Sequence, residues 1–199
     1  MAHPLILASS SQYRRALLNQ LGLTFESASP HINEAALEGE PARDLAARLA
    51  RQKALALAER FPQGIIIGSD QVAECGGRTL GKPGSPERAV EQLMACSGKR
   101  VHFHTGVSVL DATSGRQLAE VEQFDVVFRS LREDQIRYYV EQENPVDCAG
   151  SFKVEGLGIA LFEKMEGTDY NSLIGLPLIR LISMLRQFDI DVLGPAATD

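Results

Sequence analysis

Two hydrophobic periods alternate along this chain. Leu5-Ile6-Leu7-Ala8 and Gly64-Ile65-Ile66-Ile67 are short, unbroken apolar runs, and both predict buried strands of an α/β sheet. Between them, Ala16-Leu17-Leu18 to Leu21 predicts an amphipathic helix stopped by Gly22. Pro41 to Arg60 predicts a second helix, with Leu45, Leu49 and Leu57 on one stripe. The turn-rich, acidic stretch Phe25 to Glu40 reads as a loop along the sheet edge. After the second strand, Gly76-Gly77 marks a hairpin turn that carries Lys82 back toward Asp70. Ser85-Pro86-Glu87 then opens a helix that runs to a Ser97-Gly98 stop.

The second half changes character. Val101, Phe103, Thr105, Val107 and Val109 alternate, Ser114-Gly115 turns the chain, and Leu118 to Arg129 carries a further strand. An antiparallel meander is thus added to a helix-linked first half. Ser130 and Glu133 have the spacing of a capping box for a helix through Ile136, Tyr139 and Val140. Glycines punctuate Ala149 to Gly158 before an expected apolar strand at Ile159 to Phe162. Asn171 to Pro177 leads into a closing helix, Leu178 to Phe188, and a short frayed tail.

Composition confines these elements to a soluble class. With 199 residues the chain can bury one large core, and a single domain over residues 1–199 is expected, with room for two lobes around a cleft. Hydrophobic residues make up 44% and charged residues 23%, and no apolar run is long enough for a membrane span. No secretory leader is legible after Met1, so a cytoplasmic location is expected. Cys75, Cys96 and Cys148 are odd in number and form no C-x-x-C pair, which predicts reduced, mostly buried thiols. His102 and His104 share a strand face and read as exposed histidines rather than metal ligands. A net charge of −6 argues against nonspecific nucleic-acid binding, so an anionic ligand must meet a local basic cluster or a metal.

Candidate chemistry gathers where apolar runs end. Asp70 follows Gly68-Ser69 at or just past a strand's carboxyl end, where open α/β sheets place ligand crevices, or it merely closes a turn. Ser9-Ser10-Ser11 before Arg14-Arg15 forms either a phosphate cradle at a helix start or a capped helix with solvated arginines. Lys53 lies on the apolar stripe and either snorkels outward or points its ammonium into a cleft. Gly76 to Lys82 satisfies seven positions of a Walker A pattern, but the eighth is Pro83, which has neither hydroxyl nor N–H. No G-x-S-x-G elbow and no H-E-x-x-H motif is present. What remains is Glu34 and Asp70 with Lys53, Lys82 and the arginine pair, a set suited to phosphoanhydride hydrolysis.

The chain resembles the Maf family of nucleotide pyrophosphatases from end to end. The matching islands are Leu5 to Ser11 with Arg14-Arg15, Glu34, Lys53, Gly68-Ser69-Asp70, Gly81-Lys82-Pro83, Ser97-Gly98, and Asn171 with Gly175-Leu176-Pro177. The resemblance implies an α/β fold similar to the inosine-triphosphatase-like superfamily, an elongated mixed sheet with flanking helices around a central cleft. It implies hydrolysis of nucleoside triphosphates to monophosphate and pyrophosphate with a divalent cation, magnesium, manganese or cobalt. Asp70 is then the expected general base and Glu34 and Asp70 the metal acids. Ser9, Arg14, Lys53 and Lys82 are the expected substrate contacts. The family often has Asp-Glu where this chain has Asn33-Glu34, which leaves Glu34 more of the metal's charge to balance.

Tyr13, Gln71 and Glu155, with Gly150 to Lys153 around them, look like the branch acting on 7-methyl-GTP rather than on dTTP and UTP. The chemistry is coherent, because N7 methylation makes guanine cationic for an aromatic face and a carboxylate can accept from its N1–H and amine. Taken without the resemblance, Tyr13 reads as helix-start packing and Glu155 as a solvated acid. A homodimer is implied by the family, although no stripe marks an interface. The rival class is a nucleotide-binding regulator of cell division or septum formation that turns over little.

Overall fold

The computed structural model describes residues 3–194; Met1, Ala2 and the end of the expected tail lie outside them. Strand β1 (Leu5–Ala8) runs into α1 (Gln12–Asn19), and β2 (Glu26–Ala28) returns beside β1 in parallel. Helix α2 (Ala42–Leu55) crosses over to β3 (Ile65–Cys75), which also pairs with β1 in parallel. The hairpin strand β4 (Arg78–Leu80) and helix α3 (Pro86–Cys96) follow, then β5 (Arg100–Asp111) and β6 (Gln117–Phe128). Helix α4 (Glu133–Glu143), β7 (Phe162–Gly167), α5 (Tyr170–Ile174) and α6 (Leu178–Leu185) complete the chain. The sheet order is β2-β1-β3-β5-β6-β7, with β4 on β3. This is the mixed sheet with flanking helices that was expected.

Where strands begin and end positions the cleft. β3 does not stop at Asp70 as its apolar run implied; it continues to Cys75 because β5 pairs with it along its whole length. Its opposite edge is shared. β1 pairs with it up to Gly68, and β4 pairs with it from Ala73, so Ser69, Asp70, Gln71 and Val72 have no strand beside them on that edge. Asp70 thus lies beyond the end of β1, in a slot between two strands. The Gly76-Gly77 turn, both residues at positive φ, folds β4 back and places Lys82 at this slot, as the hairpin reading required.

Helix α2 lies tight on the sheet. A Cβ on Gly68 would sit 2.2 Å from the Ala50 carbonyl oxygen, and one on Gly106 would sit 2.2 Å from that of Ala46. Paired strands β3 and β5 thus offer α2 a glycine floor, which lets its backbone approach and lowers Lys53 onto Asp70. The opposite face carries Leu5, Leu7, Ile65, Ile67, Val107 and Val109 against Leu17, Leu18, Leu181 and Leu185. A further cluster around Phe103, Phe128, Phe152 and Phe162 fills the β5–β7 end.

Four expectations are corrected. The Phe25–Glu40 segment contains β2, a three-residue edge strand too short and polar to show a period. Ser130 does not cap α4: the Ser97 hydroxyl pins the Leu131 amide at 2.8 Å, and the helix starts after Arg132, whose amide donates to the Gln135 side chain at 3.0 Å. Ile159 to Leu161 forms a 3-10 turn with Ile159 exposed, and the strand begins at Phe162. Helix α6 ends at Leu185, and Arg186–Phe188 is a 3-10 turn.

Gly68→Ala and Gly106→Ala are each expected to destabilise the protein by about 2–4 kcal/mol, because backbone rather than a flexible side chain must move. Gly81→Ala, with open space at its Cβ, should stay within about 0.5 kcal/mol. Urea denaturation checks both; equal midpoints for all three would show that α2 does not press on the sheet.

Candidate functional site

The β1–α1 turn forms the first wall of the cleft. The Ser9 hydroxyl accepts from the Ser11 amide at 3.1 Å, and the Ser11 hydroxyl caps α1 by accepting from the Arg14 amide at 3.3 Å. Gln12 and Tyr13, in the first turn of α1, keep backbone N–H groups that no described residue accepts from. Arg14 donates its Nε to the Gly175 carbonyl at 2.8 Å. Burial lowers its pKa, against the opposing charges of Asp70 and Glu34. Arg15 turns the other way, its Nε 3.3 Å from the Ser27 hydroxyl on β2. The adjacent arginines therefore divide, and only Arg14 lines the cleft.

The Lys53 ammonium is the centre of the site. It sits 2.5 Å from Asp70 Oδ1 and 2.8 Å from Glu34 Oε1, while its own side chain is only 7% exposed. Asp70 Oδ2 receives no hydrogen bond from the described residues. Partial burial pushes the Glu34 carboxyl up, but the hydrogen bond and charge of Lys53, with Lys82 and Arg14, hold it below its ordinary value. Glu34 belongs to an exposed loop that a clamp holds in place. Arg48, five residues before Lys53 on α2, grips Glu40 at 2.6 and 2.7 Å and the Ala35 carbonyl at 3.0 Å. Glu40 in turn accepts from the Leu37 amide, and Arg48 above all holds its carboxyl down at about 2.

The other end of the cleft is aromatic and acceptor-lined. Tyr13, Phe152, Val154, Leu173 and Glu155 form its wall. Burial raises the Tyr13 phenol's pKa, and the negative charge of nearby Glu155 adds to the effect. Gln71 donates its amide nitrogen to the Ser172 carbonyl at 2.8 Å and the Leu173 carbonyl at 3.0 Å. Carbonyls only accept, so the nitrogen must face α5 and the amide oxygen is left for a ligand. The whole cleft has a volume of about 890 Å³ and is walled by nine of the residues singled out from sequence, Ser9, Tyr13, Arg14, Glu34, Lys53, Asp70, Gln71, Lys82 and Glu155, while Arg15 lies outside it.

Among the described residues no group of three or more His, Cys, Asp or Glu side chains is placed to hold a metal unaided. Asp70 and Glu34 nonetheless converge on one cation, the Lys53 ammonium. Two carboxylates, completed by phosphate oxygens and water, suit a divalent ion of the magnesium type, so the residues fit such a group. His102 and His104 share the sheet face that carries Asp70 and α2 but do not line the cleft; His102 bonds Asp125 at 2.9 Å, and His104 is buried rather than exposed. Cys75 and Cys96 are buried, whereas Cys148 is half-buried and lines the cleft.

Residues 4–188 match the family profile described as Maf-like protein. The chain belongs to the Maf family. The 7-methyl-GTP pyrophosphatase of Pseudomonas aeruginosa is 55% identical over 188 residues, covering 94% of this chain and 98% of that protein. The protein of the same name from Pseudoalteromonas translucida is 50% identical over 194 residues, covering 98% of this chain and 96% of its own. Among solved structures, the Ham1 protein of Staphylococcus aureus overlays with a TM-score of 0.53 at 14% identity, covering 94% of this chain and 100% of that one. A HAM1 protein from Coxiella burnetii gives 0.52 at 16% identity over the same shares. These overlays establish the fold expected of Maf proteins.

Some supports of this Maf site escaped the sequence reading. Arg48 looked like any helix arginine; its spacing of eight from Glu40 was the one available signal. Gly175 was among the matching residues but carried no role; its carbonyl accepts from both Arg14 and the Ser69 hydroxyl, at 2.8 and 3.0 Å, and a Cβ there would touch Arg14 Nε at 3.4 Å. Arg48→Ala is expected to free the Glu34 loop and speed amide exchange at Leu37 about tenfold or more, without lowering the melting temperature in proportion. Because the folded Glu40 pKa is depressed, the clamp is intact above about pH 4.5 and lost as pH falls toward about 2. Hydrogen exchange by mass spectrometry checks both; unchanged protection at Leu37 in the variant would contradict the clamp.

Proposed function

We propose that this chain is a metal-dependent pyrophosphatase of the cytoplasm that hydrolyses 7-methyl-GTP to 7-methyl-GMP and pyrophosphate. The observation that carries the reading is one cleft in which Asp70 shares space with a cationic end and with an aromatic end lined by acceptors. The relatives named 7-methyl-GTP pyrophosphatase support the same substrate. The free thiols among the described residues suit a reducing compartment, and no described helix is long and apolar enough to cross a membrane.

Arg14, Lys53 and Lys82, with the open amides of Gln12 and Tyr13, bind the triphosphate oxygens and orient the α-phosphorus toward Asp70. Asp70 takes a proton from water through its unbonded oxygen as the water oxygen bonds to the α-phosphorus. The bond from that phosphorus to the bridging oxygen breaks, and pyrophosphate leaves with the electron pair. The basic groups stabilise the charge that gathers on it. When bound between Glu34 and Asp70, a divalent cation such as magnesium, manganese or cobalt supplies further neutralisation of phosphate charge.

Base selection follows from which atoms are left free. Glu155 and the Gln71 amide oxygen both accept, which matches the N1–H and amine of guanine. A uracil or thymine edge offers a single donor, N3–H, between two carbonyl oxygens, so it cannot satisfy two adjacent acceptors. Tyr13 offers a face to the positive charge of N7-methylguanine.

Asp70→Asn is expected to lower pyrophosphate release by about 10^2–10^4-fold while keeping the fold. Retained turnover would sink the assignment of the base, and tight triphosphate binding without release by the wild type would favour a regulator. Glu155→Ala should lose about tenfold or more on 7-methyl-GTP and little on UTP. An equal loss on both would make Glu155 structural.

A further inference from the structure

Lys53 stands where the divalent cation is needed. Its ammonium lies 2.8 Å from Glu34 and 2.5 Å from Asp70, the two acids that would hold a metal. Helix α2 places it there rigidly, since the glycine floor of Gly68 and Gly106 brings the helix backbone down onto the sheet. Two cations cannot share that position. A metal entering the empty protein would have to expel an ammonium that is 7% exposed and leave it buried with no counter-charge. A triphosphate removes this obstacle, because its oxygens offer the ammonium new partners in the same cleft.

We infer that Lys53 is a tethered placeholder cation, which keeps divalent metal out of the nucleotide-free site and gives way when a triphosphate arrives. The inference rests on the metal-dependent reading above and deepens it. Metal and nucleotide binding are then coupled, each strengthening the other by the same factor. The resting protein also avoids two uncompensated carboxylates at the slot. Lys53 thus has two successive partners, the acids before substrate binds and the phosphates afterwards.

The test is Mn²⁺ alone, titrated into nucleotide-free protein and followed by the electron paramagnetic resonance of free Mn²⁺. The wild type should bind with a Kd of about 1 mM or weaker, and Lys53→Met about tenfold or more tightly. Adding Glu34→Gln to Lys53→Met should cancel the gain. Thermal melts give a second readout, since Mn²⁺ should raise the melting temperature of Lys53→Met much more than that of the wild type. Equal Mn²⁺ affinity in wild type and Lys53→Met overturns the inference. So does a wild-type Kd near 10 μM without nucleotide, a criterion that holds even if the variant does not fold. Pyrophosphate release by the wild type is scored separately, so a failure of the activity and a failure of the placeholder remain distinct.

Discussion

A single ammonium holding two carboxylates is the contact on which the arrangement of the cleft depends. Lys53 comes from a helix, Asp70 from the middle of a strand and Glu34 from an exposed loop, and they meet within 2.5–2.8 Å. Lys53 and Asp70 are buried, and breaking a buried pair by removing one partner typically costs about 3–5 kcal/mol, because a charge is left without compensation; Glu34, half exposed, is screened by solvent and adds less. The surrounding structure reflects this demand. Glycines under α2 bring the lysine down, and Arg48 ties the Glu34 loop to the same helix. One helix therefore carries both the central cation and the clamp on one of its anions.

The sheet supplies the space. A strand flanked on both edges has no room for a ligand at its centre, yet β3 loses its β1 neighbour at Gly68 and gains β4 only at Ala73. The gap leaves one edge of Ser69 to Val72 without a strand partner and does not end the strand, so Asp70 and Gln71 are presented by rigid backbone. Alternation along β3 sends them to opposite faces, Asp70 toward α2 and Gln71 toward α5. The same register that gives the sheet its continuity thus sets one residue against Lys53 of α2 and its neighbour against α5.

Much of this was legible in the residues. The β-branched run Ile65 to Ile67 marked the central strand, and Lys53 on an apolar stripe turned out to face the cleft rather than solvent. What stayed hidden depended on distant partners. β2 exists because β1 offers its backbone, and Ser130 failed as a cap because Ser97 had already fixed the next residue. Asp70 read as a strand end because periodicity cannot show that β5 carries the pairing onward. Arg48 and Gly175 work through loop backbone, which leaves no periodic trace. The roles proposed for Asp70, Glu34 and Glu155 rest on the Maf resemblance joined to geometry, since spacing alone left a turn residue open for Asp70 and a solvated acid for Glu155.

The most direct test of the account is hydrolysis of 7-methyl-GTP by the wild-type protein in ¹⁸O-labelled water, with mass spectrometry of both products. Attack on the α-phosphorus at the Asp70 slot predicts one ¹⁸O atom in 7-methyl-GMP and none in pyrophosphate. Label in pyrophosphate, or release of orthophosphate in its place, would contradict it.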